Sequence, residues 1–120
     1  MFNRRAKGQH YEAAAEKHLS ACGLVLIERN FHTKSGELDL IMRDGPTTVF
    51  VEVRYRNSQA YGHAAETVTY HKAQKLYKAA NVWLMKQGMS IYSTDIRFDV
   101  VAIHHQGQQV EWIKNAITQG

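Results

Sequence analysis

The stretch from Gly36 to Arg54, GELDLIMRDGPTTVFVEVR, constrains the chain more than any other. Two apolar runs rich in β-branched residues flank Asp44-Gly45-Pro46-Thr47, a strong turn signal. A loop over residues 44–47 predicts an antiparallel hairpin in which Arg43 faces Thr48, Ile41 faces Phe50 and Asp39 faces Glu52. Side chains alternate along a strand. One face then carries Leu38, Leu40, Met42, Val49, Val51 and Val53, and the other Glu37, Asp39, Ile41, Phe50, Glu52 and Arg54. Directly opposed residues have Cβ atoms about 4.5–5.5 Å apart, and like charges there are destabilising. A divalent cation is the simplest compensation, because hard cations take oxygen ligands. The same pattern also fits a plain hairpin with one core face and one wet, charged face. A slip of one residue in register would separate the two carboxylates.

The flanking segments predict the remaining elements. Residues 5–22 have helical spacing, with Tyr11, Ala14, Ala15, His18, Leu19 and Cys22 as an apolar stripe and Gly23 as a stop. Glu12 lies at the edge of that stripe, and Glu16 farther toward water. Arg4, Arg5 and Lys7 read as a solvated helix end or as phosphate contacts. Leu24 to Phe31 predicts a first strand, and residues 32–36 a polar turn. Residues 57–68 predict a loop beside the acidic face, either a connector or a substrate contact. A second helix over 69–87 has Thr69 as N-cap, a stripe of Ala73, Leu76, Tyr77, Ala80, Trp83 and Leu84, and Gly88 as a stop. Lys72, Lys75 and Lys78 on its flanks read as solvated. Residues 95–105 hold a strand apolar on both faces, hence covered on both sides. A turn at 106–108 leads to a last strand over 109–113. A helix between the third and fourth strands predicts an α/β fold, a mixed sheet with helices packed against it.

Length and composition set the frame. A chain of 120 residues predicts one domain over 1–120. No apolar run reaches the ~20 residues of a membrane span. The N-terminus has basic residues without the apolar core of a secretory signal. The single cysteine, Cys22, excludes an internal disulfide, so a cytoplasmic location is the simplest expectation. A net charge of +4 and a pI near 9.3 tilt the expected partner toward an anion such as nucleic acid. No C-x-x-C, P-loop, G-x-S-x-G or H-E-x-x-H is present, which removes support for zinc, nucleoside-triphosphatase and serine-hydrolase chemistry. His104 and His105 point to opposite faces of a strand and make a poor chelating pair.

Glu12, Asp39 and the Glu52-Val53-Arg54 alternation remain as the chemically suggestive set. Carboxylates can hold Mg²⁺ or Mn²⁺, which polarises a phosphate and lowers the pKa of a bound water. A cation beside them can stabilise charge developing on the phosphate. The residues Gly8-x-x-x-Glu12-x-x-Ala15, Leu19, Gly23, Asn30, Gly36-Glu37-x-Asp39-Leu40-Ile41, Val49-Phe50-Val51-Glu52-Val53-Arg54, Gly62, Lys72 and Arg97-Phe98-Asp99-Val100 resemble the PD-(D/E)XK nuclease superfamily. More closely, they resemble the YraN/UPF0102 family of small bacterial proteins, which is similar to archaeal Holliday junction resolvases. The resemblance runs over almost the whole chain, and the G-E-x-D…V-E-V-[KR] pair is its most specific part. It implies a restriction-endonuclease-like αβββαβ core with a central mixed sheet. It places Glu12, Asp39 and Glu52 in the superfamily's acidic, metal-holding positions. It also implies action on DNA rather than RNA, including branched or structured DNA, with a homodimer by analogy with resolvases.

One departure stands out. The superfamily's usual lysine is Arg54 here. Arginine is always charged and cannot serve as a general base, although it binds phosphate bidentately. Lys72, at the start of the second helix, is the residue that can take over the lysine's place; its plainer reading is a solvated flank. Three functions stay open on the sequence: a metal-dependent endonuclease, a non-catalytic nucleic-acid-binding protein that keeps the nuclease fold, and a protein-interaction domain.

Overall fold

The computed structural model describes residues 4–56, 68–104 and 109–117, with the backbone alone for 4–9 and 56. The elements are α1 (Arg4–Ala21), β1 (Val25–His32), β2 (Glu37–Asp44), β3 (Thr47–Arg56), α2 (Tyr70–Lys86), β4 (Ile96–His104) and β5 (Gln109–Ile113). They form one five-stranded sheet in the order β1-β2-β3-β4-β5. All neighbours are antiparallel except β3 and β4, which run parallel from Thr48↔Ile96 to Arg56↔His104. A parallel pair needs a crossover, and α2 supplies it. This mixed sheet between helices is the restriction-endonuclease-like α/β core implied by the resemblance.

Each face of the sheet has its own core. On one face Tyr11, Ala15 and Leu19 of α1 pack on Leu40, Met42, Val49, Val51, Val101 and Ile103. On the other, Leu76, Ala79, Ala80, Trp83 and Leu84 of α2 pack on Ile41, Phe50, Phe98, Val100 and Ala102. Alternate residues of β3 and β4 therefore serve opposite cores, which explains why β4 reads as apolar on both faces. Thr69 caps α2 by accepting from the Lys72 N–H, and Gly88, at φ 74°, follows its C-terminal end.

The hairpin keeps the expected register, with Ile41↔Phe50 and Arg43↔Thr48. Its turn is tighter than expected: Asp44 pairs with Thr47, so only Gly45 and Pro46 lie between the strands. Gly45 at φ 60° followed by proline has the signs of a type II′ turn, whose twist suits a two-residue hairpin.

Two expectations need correcting. Cys22 is exposed, not part of the α1 stripe, because α1 ends at Ala21 and Gly23, at φ 102°, turns the chain so that Leu24 is buried instead. In β1, an edge strand, Val25 and Ile27 are exposed. Leu38 does not share a core with Leu40; it joins the α2 side with Ile41 and Phe50. Strand alternation is broken at Asp39, opposite Asn30, whose φ of 52° is left-handed. The expected loop 57–68 up to residue 67, with Gly62, and the turn at 106–108 with His105 lie outside the described residues. So do the side chains of Arg4, Arg5 and Lys7.

Asp99, quoted above only as part of the family resemblance, is fully buried. Its carboxylate accepts from Arg97 Nε and Nη2 at 2.8 and 2.9 Å, from Trp112 Nε1 at 2.9 Å and from the Asn115 N–H at 2.9 Å. Arg97 also reaches Asp44 at 3.1 Å. A buried carboxylate is tolerated when donors surround it, and this one fastens β5 and the turn after it to β4.

Candidate active site

The backbone pairing of β2 with β3 stops at Leu40↔Val51. Beyond it the two strands fork. The Val53 N–H, which a continuing ladder would engage, donates instead to Asp39 Oδ2 at 2.8 Å. Because an orphaned backbone donor is costly, this bond fixes the Asp39 carboxylate at the fork. Glu52 lies beside it and is only 7% exposed. The two carboxyl groups are hydrogen-bonded to each other across the fork.

The fork opens a cleft of about 270 Å³. Glu12, Asp39, Glu52, Arg54 and Lys72 all line it, together with Glu37, Val53, Tyr11 and Tyr55. The structure thus gathers every candidate residue around one cavity, from α1, β2, β3 and α2. Lys72 Nζ stands 3.5 Å from Glu52 Oε1. Thr69, as N-cap, sets the start of α2 and so the height at which Lys72 emerges.

Crowding of carboxylates shows in their proton affinities. Burial, then the charge of Asp39, lifts Glu52 to about 8 against the opposing pull of Lys72 and Arg54. Burial also raises Asp39, against the Val53 N–H and the Glu52 hydrogen bond, which favour its charged form. Glu12 rises to about 7 through burial and the charges of Asp39 and Glu37, while a hydrogen bond from Asn30 lowers it. A proton shared between Asp39 and Glu52 therefore offsets the repulsion in the protein alone. That is the place at which a cation would do the same.

Among the described residues, no group of three or more His, Cys, Asp or Glu side chains is arranged to cage a metal ion. Asp39 and Glu52 form a close pair, and Glu12 stands on the cleft wall rather than beside them as a third ligand. Two desolvated carboxylates suit an ion such as Mg²⁺, which is usually held by one or two carboxylates and keeps several waters. The donor set fits such an ion on these terms.

Some residues at the cleft carried no expected role there from sequence. Tyr11 and Tyr55 stack with ring centroids 4.2 Å apart and form one wall. Nothing local in the sequence links them, since one is on α1 and the other on β3. Glu37 had been placed on the acidic face but given no role; it pairs with His32 at 2.9 Å and its charge acts on both Glu12 and Asp39. Asn30 holds Glu12, and its left-handed backbone is a conformation that asparagine adopts more readily than most residues.

Comparison with known proteins agrees with the resemblance. The sequence model described as "Uncharacterised protein family UPF0102" matches residues 11–103. A UPF0102 protein of Vibrio cholerae serotype O1 is 57% identical over 118 residues, covering 98% of this chain and 97% of the relative. A UPF0102 protein of Aliivibrio salmonicida is also 57% identical, over 98% of this chain and 96% of its own. One from Vibrio vulnificus is 53% identical over the whole of this chain and 98% of its own. The matched segment contains Glu12, Asp39, Glu52, Arg54 and Lys72, and with relatives this similar along their full length, the chain belongs to the UPF0102 family.

Proposed function

We propose that this protein is a metal-dependent endonuclease that hydrolyses phosphodiester bonds in DNA, with branched or structured DNA as its preferred class. The observation that carries the reading is the fork between β2 and β3. It sets two desolvated carboxylates against each other and surrounds them with Glu12, Arg54 and Lys72 in one cleft. Such a set has little structural purpose, since opposed carboxylates weaken a hairpin. Perturbed groups gathered in a cleft are a mark of function.

Asp39 and Glu52 would hold Mg²⁺ or Mn²⁺, with Glu12 at the margin, and the ion would compensate charge and make a bound water more acidic. The chain's own groups have separate tasks. The Val53 N–H keeps Asp39 oriented. Lys72 supplies the ammonium that the strand lacks, and its contact with Glu52 keeps it at the cleft. Arg54 takes the scissile phosphate and stabilises charge that grows toward the transition state. Severing both strands of a branched junction would call for two copies of the chain.

The test is cleavage of linear, nicked and four-way DNA with Mg²⁺ and with Mn²⁺, using Glu52→Ala as the inactive control. Metal-dependent cutting abolished by Glu52→Ala supports the reading. A second reading rests on Arg54 in the place of the superfamily's lysine: a DNA-binding protein that has given up turnover. Tight DNA binding with no cutting of any substrate would favour it, and neither binding nor cutting would reject both.

A further inference from the structure

A second hollow, of about 350 Å³, lies on the other side of Glu52 and Lys72. Its lining includes Gly36, His71, Lys75 and Leu76 besides Glu37, Glu52 and Lys72, the three residues it shares with the acidic cleft. Resting on the phosphodiesterase reading, we propose that this hollow is a subsite for a neighbouring backbone phosphate of the same DNA strand, held by Lys75 and His71.

The position of α2 is set by a close approach. A Cβ on Gly36 would lie 2.9 Å from the Lys75 carbonyl oxygen and 3.1 Å from the Lys75 Cβ. The first distance is shorter than a Cβ can approach and its obstacle is backbone, and the second is a tight contact. Glycine thus lets the turn between β1 and β2 seat against the second turn of α2. Thr33 holds that turn, since its N–H donates to the Gly36 carbonyl at 2.8 Å and its hydroxyl oxygen accepts from the Gly36 N–H at 3.0 Å. Residues 71, 72 and 75 fall on one side of the helix, at spacings of one, three and four. Lys72 consequently leans into the acidic cleft, while His71 and Lys75 line the second hollow.

The cations around the two hollows differ in their partners. Lys72 is engaged with Glu52, and Glu37 with His32. Arg29 and Arg97 are engaged with Glu16 and with Asp99 and Asp44. Among the described residues, neither Lys75 nor His71 has an ion-pair partner. Cationic donors beside a phosphodiesterase site, unused by the protein and adjoining its cavity, match the next phosphate along a strand. A phosphate contact made this way positions the substrate and carries no base specificity.

The experiment is a salt titration of four-way DNA binding by fluorescence anisotropy in EDTA, on wild type, Lys75→Gln, His71→Gln and, as a charge-matched control, Lys17→Gln on the exposed side of α1. Each phosphate contact contributes about 0.9 to the slope of log K against log salt. Lys75→Gln should lower the slope by about one and weaken binding about three- to tenfold near 0.1 M salt. His71→Gln should weaken it less, and Lys17→Gln should match wild type. Lys75→Gln should also raise KM for cutting without changing kcat. If wild type binds DNA and Lys75→Gln behaves like Lys17→Gln, the subsite is rejected and the nuclease reading stands. If wild type fails to bind DNA at all, both fall. Inorganic phosphate at matched ionic strength should not displace the DNA; full displacement would assign the hollow to a free anion and overturn the proposal.

Discussion

Replacing Glu52 by glutamine should make the metal-free protein more stable at high pH and leave it little changed at low pH. Glu52 sits at about 8 in the folded chain against an ordinary 4.5, chiefly because it is buried and next because Asp39 faces it. A carboxyl whose folded value is raised binds more protons folded than unfolded. Its contribution to stability is therefore complete below the unfolded value and is lost as pH rises through the folded one. The window runs from about 4.5 to about 8. One pKa unit corresponds to about 1.4 kcal/mol, so wild type should lose about 3–5 kcal/mol across it from this side chain alone. Glutamine imitates the protonated acid in shape, keeps a donor for Asp39 and cannot ionise. The stability of Glu52→Gln minus that of wild type should thus grow with pH and level off above about 8. Glu12, lifted to about 7 and only partly buried, adds a weaker trend common to both proteins. Urea unfolding in EDTA from pH 5 to pH 9 measures the difference directly. A gap that stays constant over that range would refute the reasoning, because it would mean that the Asp39–Glu52 pair is not desolvated and shares no proton.

Other substitutions probe the same architecture. Asp39→Asn should remove most Mn²⁺ binding in calorimetry while raising metal-free stability above pH 7, since it relieves repulsion with Glu52; affinity and stability moving in the same direction would contradict this. Arg54→Lys should keep measurable cleavage, whereas Arg54→Ala should reduce cleavage far more than DNA binding, the pattern of a contact that strengthens in the transition state. Asp99→Ala should cost about 3–5 kcal/mol in urea unfolding, because it removes a fully buried acceptor and leaves Trp112 Nε1–H, the Asn115 N–H and Arg97 without it; a cost below about 1 kcal/mol would show that water reaches the site.

The hairpin register was legible because Gly45-Pro46 fixes the turn and β-branched alternation fixes the faces down to Leu40 and Val51. Leu38 was not legible. Its side depends on a left-handed residue in the neighbouring strand, and period-two reasoning has no term for that. Asn30 was the available signal, as one of the few residue types that take a positive φ at modest cost. The Lys72–Glu52 contact joins a helix start to a strand through the tertiary packing of α2, so no spacing rule reaches it. Glu12 could be placed at the edge of its stripe from periodicity, but only resemblance aimed it at the site. Asp99 looked like one more residue of a covered strand because its donors come largely from β5 and the turn that follows.

The broken alternation and the cleft have one origin. In an unbroken hairpin, Glu52 would face the α2 layer while Glu12, on α1, would belong to the opposite face, with the thickness of the sheet between them. A sheet with its backbone fully paired cannot be entered from both sides. Here the backbone ladder of β2 with β3 ends at Leu40↔Val51, and Asp39 satisfies the Val53 N–H by side chain instead. The sheet can part at that level without leaving this part-buried donor unpaired. Asn30, left-handed and opposite Asp39, adds a contact from β1: its side chain bonds Glu12 from the α1 side. Through the resulting gap α1 contributes Glu12 and α2 contributes Lys72 to one cavity. The local departure from strand regularity at residues 30 and 39 is thus what brings together groups that a regular sheet would hold apart.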